Sequence, residues 1–251
     1  MKWKEYGSEN KETILLLHGG GLSWWNYQAE AEILQSDYHV VLPVLDGHAD
    51  SSRPFTSIED NAAELIASID DALGGHVLLI GGLSLGAQIT LEILAQRRDI
   101  CRYALIESAC VLPSKLTNAL IGPAIRSSYG LMKNRRFAEM QFKSLHINSS
   151  FFEAYYRDTC KIAKADMIAF LKANTAYSLK ASIADTAARV HVLAGGKENR
   201  QILSSVDLIK SRVPSCAVQI LPNLYHGEFS INRPEEYAAY LKNLIARQDE
   251  R

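Results

Sequence analysis

The sequence predicts an α/β fold, a doubly wound and mostly parallel sheet with a helical segment inserted into it. Three observations carry that expectation. Short apolar runs recur along the chain: Thr13 to Leu17, Tyr38 to Pro43, His76 to Ile80, Tyr103 to Ile106, Val190 to Ala194 and Ala217 to Leu221. Each is continuously apolar rather than alternating, as strands covered on both faces are. Segments with helical spacing lie between most of these runs, and alternation of this kind marks a sheet with helices on both sides. One long stretch, from Pro113 to Ala188, breaks the alternation.

Taken in order, the opening residues "MKWKEYGSENKE" contain no apolar signal-peptide core. After the second run, Thr56-x-x-Glu59 reads as a capping box for a helix in which Ile58, Ala62, Leu65, Ile66, Ile69 and Leu73 share a face, ending at Gly74-Gly75. After the last run, Pro234 opens a helix with Tyr237, Leu241, Leu244 and Ile245 on one stripe. Residues 113–188 show helical periodicity and no buried strand. An all-helical insertion in an α/β sheet is expected to cap the strand ends, where ligands bind in such folds. The expected organisation is therefore a core of residues 1–112 and 189–251 with a helical cap of residues 113–188.

Composition narrows the function classes. The 27 basic and 28 acidic residues leave a net charge of -1, which gives no reason to expect nucleic acid or an anionic surface as partner. Cys101, Cys110, Cys160 and Cys216 are far apart and form no C-x-x-C pair, which suits free thiols in a reducing compartment. No run approaches the length of a membrane span. The expectation is a cytoplasmic protein whose partner is a small molecule.

Two glycine-rich stretches point to chemistry. In "IGGLSLGA" Ser84 stands between Gly82 and Gly86, after an apolar run and before a helix-like one. Glycines at those spacings permit a strand-to-helix elbow that lifts a serine hydroxyl above a sheet. The first run leads into "HGGGLSWW" (18–25), where glycines let backbone N–H groups face a cavity and receive a developing oxyanion. Trp24 stands where G-x-G-x-x-G needs glycine, and no G-K-[ST] is present, so phosphate cradling is disfavoured. A serine nucleophile needs a base and a carboxylate to orient that base. Glu198 follows the run at 190–194 and His226 follows the run at 217–221, both leaving the sheet edge that carries the elbow.

Together "LLLHGGGLSWW", "DGHADSSRP", "GGLSLGA", "LAGGKEN" and "NLYHGEFSINRPEEY" stand in an order that resembles the capped group of the α/β-hydrolase superfamily, across nearly the whole chain outside the cap. The resemblance implies Ser84 as nucleophile, His226 as base, and the Leu85 N–H as one oxyanion donor, with the second from Gly20 or Gly21. Aligning Gly195 as the motif glycine selects Glu198 as the acid, whereas aligning Gly196 would put the amide of Asn199 there. The "GHADS" stretch departs from the frequent G-H-G-x-S. Leu83 and Leu85 make an apolar floor, and Trp24 and Trp25 follow the glycine turn, where at least one is expected to face the site. The other histidines read as structural or pocket-lining.

The expected activity is a serine hydrolase cleaving a small carboxylic ester or related acyl compound with a hydrophobic portion, through an acyl-enzyme and with no metal or organic cofactor. The alternatives are the same residues used for thioesters, carbon–carbon bond hydrolysis or acyl transfer, or a small-ligand receptor that does not turn over.

Overall fold

The computed structural model describes residues 1–246. Seven strands form one sheet: β1 (Lys2–Tyr6), β2 (Thr13–Leu17), β3 (His39–Val44), β4 (Val77–Leu83), β5 (Cys101–Glu107), β6 (Arg189–Gly195) and β7 (Ala217–Leu221). Their order is β1-β3-β2-β4-β5-β6-β7. Every pair is parallel except β1 with β3, where Lys2 faces Val44.

Six of these strands grow from the six apolar runs. The chain also forms β1, which the run criterion passes over. "KWKEY" alternates charge with aromatic side chains because it is an edge strand, half in solvent and bonded only to β3.

Helices between strands are α1 (Gln28–Leu34), α2 (Ile58–Ala72), α3 (Leu85–Gln96) and α8 (Arg200–Arg212); α9 (Glu228–Asn232) and α10 (Pro234–Ala246) follow β7. The start of α2 differs from the expected box by one residue: Ser57 is the cap and accepts the Asp60 N–H at 3.0 Å. Thr56 instead donates its hydroxyl to the Asp60 carboxylate at 2.6 Å. Residues 108–188 between β5 and β6 form α4 (Lys115–Met132), α5 (Arg135–Lys143), α6 (Phe152–Lys161) and α7 (Lys164–Ala176), with short 3-10 turns.

The sheet separates two apolar cores. One holds Leu15, Val41, Leu65, Ile89 and Ile209 with Met167 and Phe170 of α7; the other holds Leu16, Leu42, Tyr103, Tyr237 and Leu241. β2 lies between β3 and β4, so the chain turns one way after β2 and the other way after β3. That reversal opens a crevice outside the carboxyl ends of β2 and β4, the place where ligands bind in open α/β sheets. All four cysteines are free thiols. No helix among the described residues is long and apolar enough to cross a membrane.

Candidate active site

The elbow after β4 is forced by backbone crowding. A Cβ on Gly82 would sit 2.4 Å from the Gly86 carbonyl, and one on Gly86 would sit 2.2 Å from the Leu17 oxygen. Only hydrogen fits at either place, so β4 turns into α3 within one residue. Ser84 occupies that residue with φ 54 and ψ -108, left-handed backbone that a side chain rarely adopts. Its N–H donates to the Glu107 oxygen at 2.9 Å, tying the elbow to the end of β5. The N–H of Leu85 lies in the first turn of α3, where such groups lack an acceptor within the helix.

His226 and Glu198 meet at the neighbouring strand ends. The His226 Nδ1–H donates to Glu198 Oε2 at 2.6 Å, which leaves Nε2 as the acceptor of the neutral ring. The other carboxylate oxygen accepts the Ser108 hydroxyl at 2.6 Å and the Gly195 N–H at 2.9 Å. Burial alone would raise the pKa of Glu198, but the contacts to His226, Ser108 and Gly195 outweigh it and hold the carboxyl below its ordinary range. The two loops are stitched together because Gly195 packs against the Leu224 carbonyl, where a Cβ would come within 2.3 Å. Lys197 N–H donates to that same oxygen at 3.0 Å. Asn199, the other residue a shifted alignment selects, caps α8 through the Ile202 N–H.

Two buried histidines set the glycine loop after β2. His18 donates from Nδ1 to the Gly19 oxygen at 2.9 Å, and its Nε2 accepts the Leu45 N–H at 3.1 Å. His48 donates from Nδ1 to the Asp46 oxygen at 3.0 Å and accepts the Gly21 N–H at Nε2, also at 3.0 Å. Burial pushes His18 down to about 3 and His48 to about 4, so both rings are neutral and each is held in the Nδ1–H form. His48 thus occupies the Gly21 N–H, while Gly20 is exposed and lines the cavity that Ser84 lines.

Ser84, Glu198 and His226 line one cavity of about 330 Å³. Gly19, Gly20, Leu22, Leu83, Leu145, Ile147 and Ile231 supply most of its apolar wall. The tryptophans are elsewhere, which corrects their expected place beside the substrate. Trp25 is buried, donates Nε1–H to Asp158 at 2.9 Å and stacks on Phe151. Trp24 lines a separate surface hollow with Lys4 and Asp50. Both belong to the 3-10 turn Trp24–Tyr27.

Several residues around the site belong to no motif of the sequence. Glu107 ends β5 and Ser108 follows it at the edge that carries the elbow, and polar residues directly after an apolar run at that edge are the signal that marks them. The Glu107 side chain is buried and accepts the Ser230 N–H at 3.3 Å. At the cavity mouth His146 stacks on Tyr225 with ring centres 3.9 Å apart, and Lys197 covers that same tyrosine. Asn232 fastens the segment by accepting the Asn148 N–H and donating to the His146 oxygen. Apart from Lys197 on Tyr225, which are 28 apart, these contacts join residues more than 75 apart in sequence, so no local pattern announces them. Among the described residues no group of three or more His, Cys, Asp or Glu is placed to hold a metal ion.

A serine on a strained elbow at the crevice of an open α/β sheet, with a histidine–carboxylate pair on later strand ends, defines the hydrolase class of this architecture. The family model of the alpha/beta hydrolase family matches residues 14–240, and the chain belongs to that family. It is similar to Lipase 1 of Psychrobacter immobilis, at 25% identity over 240 residues that cover 90% of this chain and 74% of the lipase. Its fold is similar to an esterase of Thermogutta terrifontis, with TM-score 0.79, 16% identity and coverage of 98% and 93% of the two chains. A putative alpha/beta hydrolase family protein of Desulfitobacterium hafniense gives TM-score 0.78 at 22% identity, covering 97% of this chain and all of that one.

Proposed function

We propose that the protein is a serine hydrolase that cleaves a small carboxylic ester or related acyl compound. The observation that carries this reading is the 2.6 Å His226–Glu198 bond beside Ser84 in a shared cavity. Glu198 fixes His226 in the Nδ1–H form, and Nε2 then takes the Ser84 proton as the serine oxygen attacks the carbonyl carbon. The oxyanion is received by the N–H groups of Leu85 and Gly20. Collapse of the tetrahedral species expels the alcohol, which leaves with the proton from His226, and Ser84 keeps the acyl group. Water attacks in the same way and releases the acid.

The helices of residues 113–188 act as a cap, because Leu145 and Ile147 from that segment form part of the cavity wall. The leucine and isoleucine wall supports a substrate with a hydrophobic portion. The Lipase 1 likeness supports ester chemistry.

The test is fluorophosphonate labelling read by intact mass and peptide mapping. We expect one adduct, on Ser84, absent from both Ser84→Ala and His226→Ala, and sustained turnover of a p-nitrophenyl ester by the wild type alone. A folded wild type that takes up no label would overturn the assignment. Labelling without turnover would favour a receptor.

A further inference from the structure

Helix α4 is apolar on two opposite sides. At 3.6 residues per turn, Ile121, Gly122, Ile125, Tyr129 and Met132 share one side, and Ile125, Tyr129 and Met132 pack against the core. A helix packed on one face ordinarily turns a polar face to water. Here Leu116, Leu120, Pro123 and Leu131 fall within about 80° of each other on the outer side. The three leucines are 74%, 58% and 52% exposed.

Charge accompanies the exposed stripe. Lys115 and Arg126 in α4, with Lys133 at its C-cap, lie within about 20° of each other along one border of the stripe. None of the three is in an ion pair among the described residues. No acidic residue occurs anywhere in α4. The pattern recurs in α5, where Arg136, Met140 and Lys143 share a side and Met140 is 62% exposed. Residues 113–188 carry eleven Lys or Arg against five Asp or Glu, although the whole chain has net charge -1. The near-neutral total conceals a cationic insertion on an acidic core.

We propose that the outer face of α4 docks the protein on an anionic phospholipid surface. A bilayer interface offers both things the face presents a need for: apolar depth for the leucines and negative headgroups for the lysine and arginine border. Pairing of this face with a second copy is disfavoured by charge. A two-fold contact sets the same face against itself and adds a second set of cations with no acid on α4 to answer them. No residue of the candidate active site lies on this face, so docking stands or falls separately from the hydrolase reading.

The test is co-sedimentation of the full chain with vesicles of phosphatidylcholine alone and of phosphatidylcholine with phosphatidylglycerol. Two triple variants accompany the wild type: Leu116→Ser with Leu120→Ser and Leu131→Ser, and Lys115→Gln with Arg126→Gln and Lys133→Gln. All six side chains are exposed, and thermal unfolding verifies that both variants fold. We expect the wild type to partition onto the phosphatidylglycerol vesicles and to be released by salt. Each variant should lose about tenfold or more in partition coefficient, and the glutamine variant should lose the salt dependence. The proposal is overturned if wild type stays in the supernatant at low salt, or if either variant binds as wild type does. A stable dimer that the serine variant dissolves, seen by sedimentation velocity, would overturn it in favour of a second copy.

Discussion

Glu107 ends β5 in two roles, since its main-chain oxygen accepts the Ser84 N–H while its carboxylate accepts the Ser230 N–H behind His226. Burial pushes this carboxyl up to about 7 from its ordinary 4.5, with the Glu198 charge adding to the rise and the Ser230 contacts opposing it. The folded chain thus keeps a proton that the unfolded chain gives up between those values, so Glu107 makes stability fall as pH rises across that window. Glu107→Gln keeps an acceptor for Ser230 and cannot ionise. We expect its melting temperature relative to wild type to improve from about pH 5 to about pH 8, by the equivalent of up to ~3 kcal/mol. A difference that stays flat with pH would show that the buried carboxyl is not the titrating group. Glu198 is opposite in sign, because its contacts favour the charged form. In Glu198→Gln the ring of His226 loses its carboxylate, and we expect kcat on a small ester to fall about ten-thousandfold with KM little changed. A loss of tenfold or less would remove Glu198 from the role of acid.

At the level of elements, crowding rather than propensity decides the geometry. Gly86→Ala would press a methyl group into the Leu17 and His18 carbonyls, so we expect a loss of ~3 kcal/mol or more by urea unfolding. Gly20 is different, since a Cβ there meets only Phe170 and Leu85 at 3.5 and 3.6 Å, an ordinary contact. The glycines of the elbow and the order of the loops were legible because close backbone approach writes itself as glycine in the sequence. The six apolar runs were legible because strands covered on both faces need no alternation. β1 was not, since an edge strand half in water carries lysine and glutamate like any surface segment. The tryptophans were misplaced for a similar reason. A side chain's direction after a turn depends on the turn's dihedral angles, and its partner Asp158 lies 133 residues away.

For the whole molecule, charge total and charge placement carry different information. The balance of 27 basic and 28 acidic residues was legible at once, while the segregation of cations onto α4 and α5 required knowing which residues are exposed. Two neutral buried histidines also set a property of the entire chain. His18 at about 3 and His48 at about 4 stay unprotonated in the fold, while the unfolded chain protonates both near their ordinary 6.5. Stability contributed by this pair is therefore present above about pH 6.5 and is lost progressively as pH falls through that value toward 4. We expect His48→Phe, which keeps the stacking on Phe170, to flatten the acid side of the stability curve measured by urea unfolding between about pH 7 and pH 4. An unchanged acid slope would count against a neutral His48 in the native state.

Strands β5 and β6 lie side by side although residues 108–188 intervene, so their pairing closes a loop of 81 residues. The chain entropy surrendered in that closure grows only with the logarithm of loop length. Against a ten-residue connection the added cost is about 2 kcal/mol. Met167, Phe170, Tyr177 and Ile183 from within the loop join the apolar core beside β2 and β4, which offsets it. The central sheet can therefore carry a long insertion at one edge of its crevice at little thermodynamic cost.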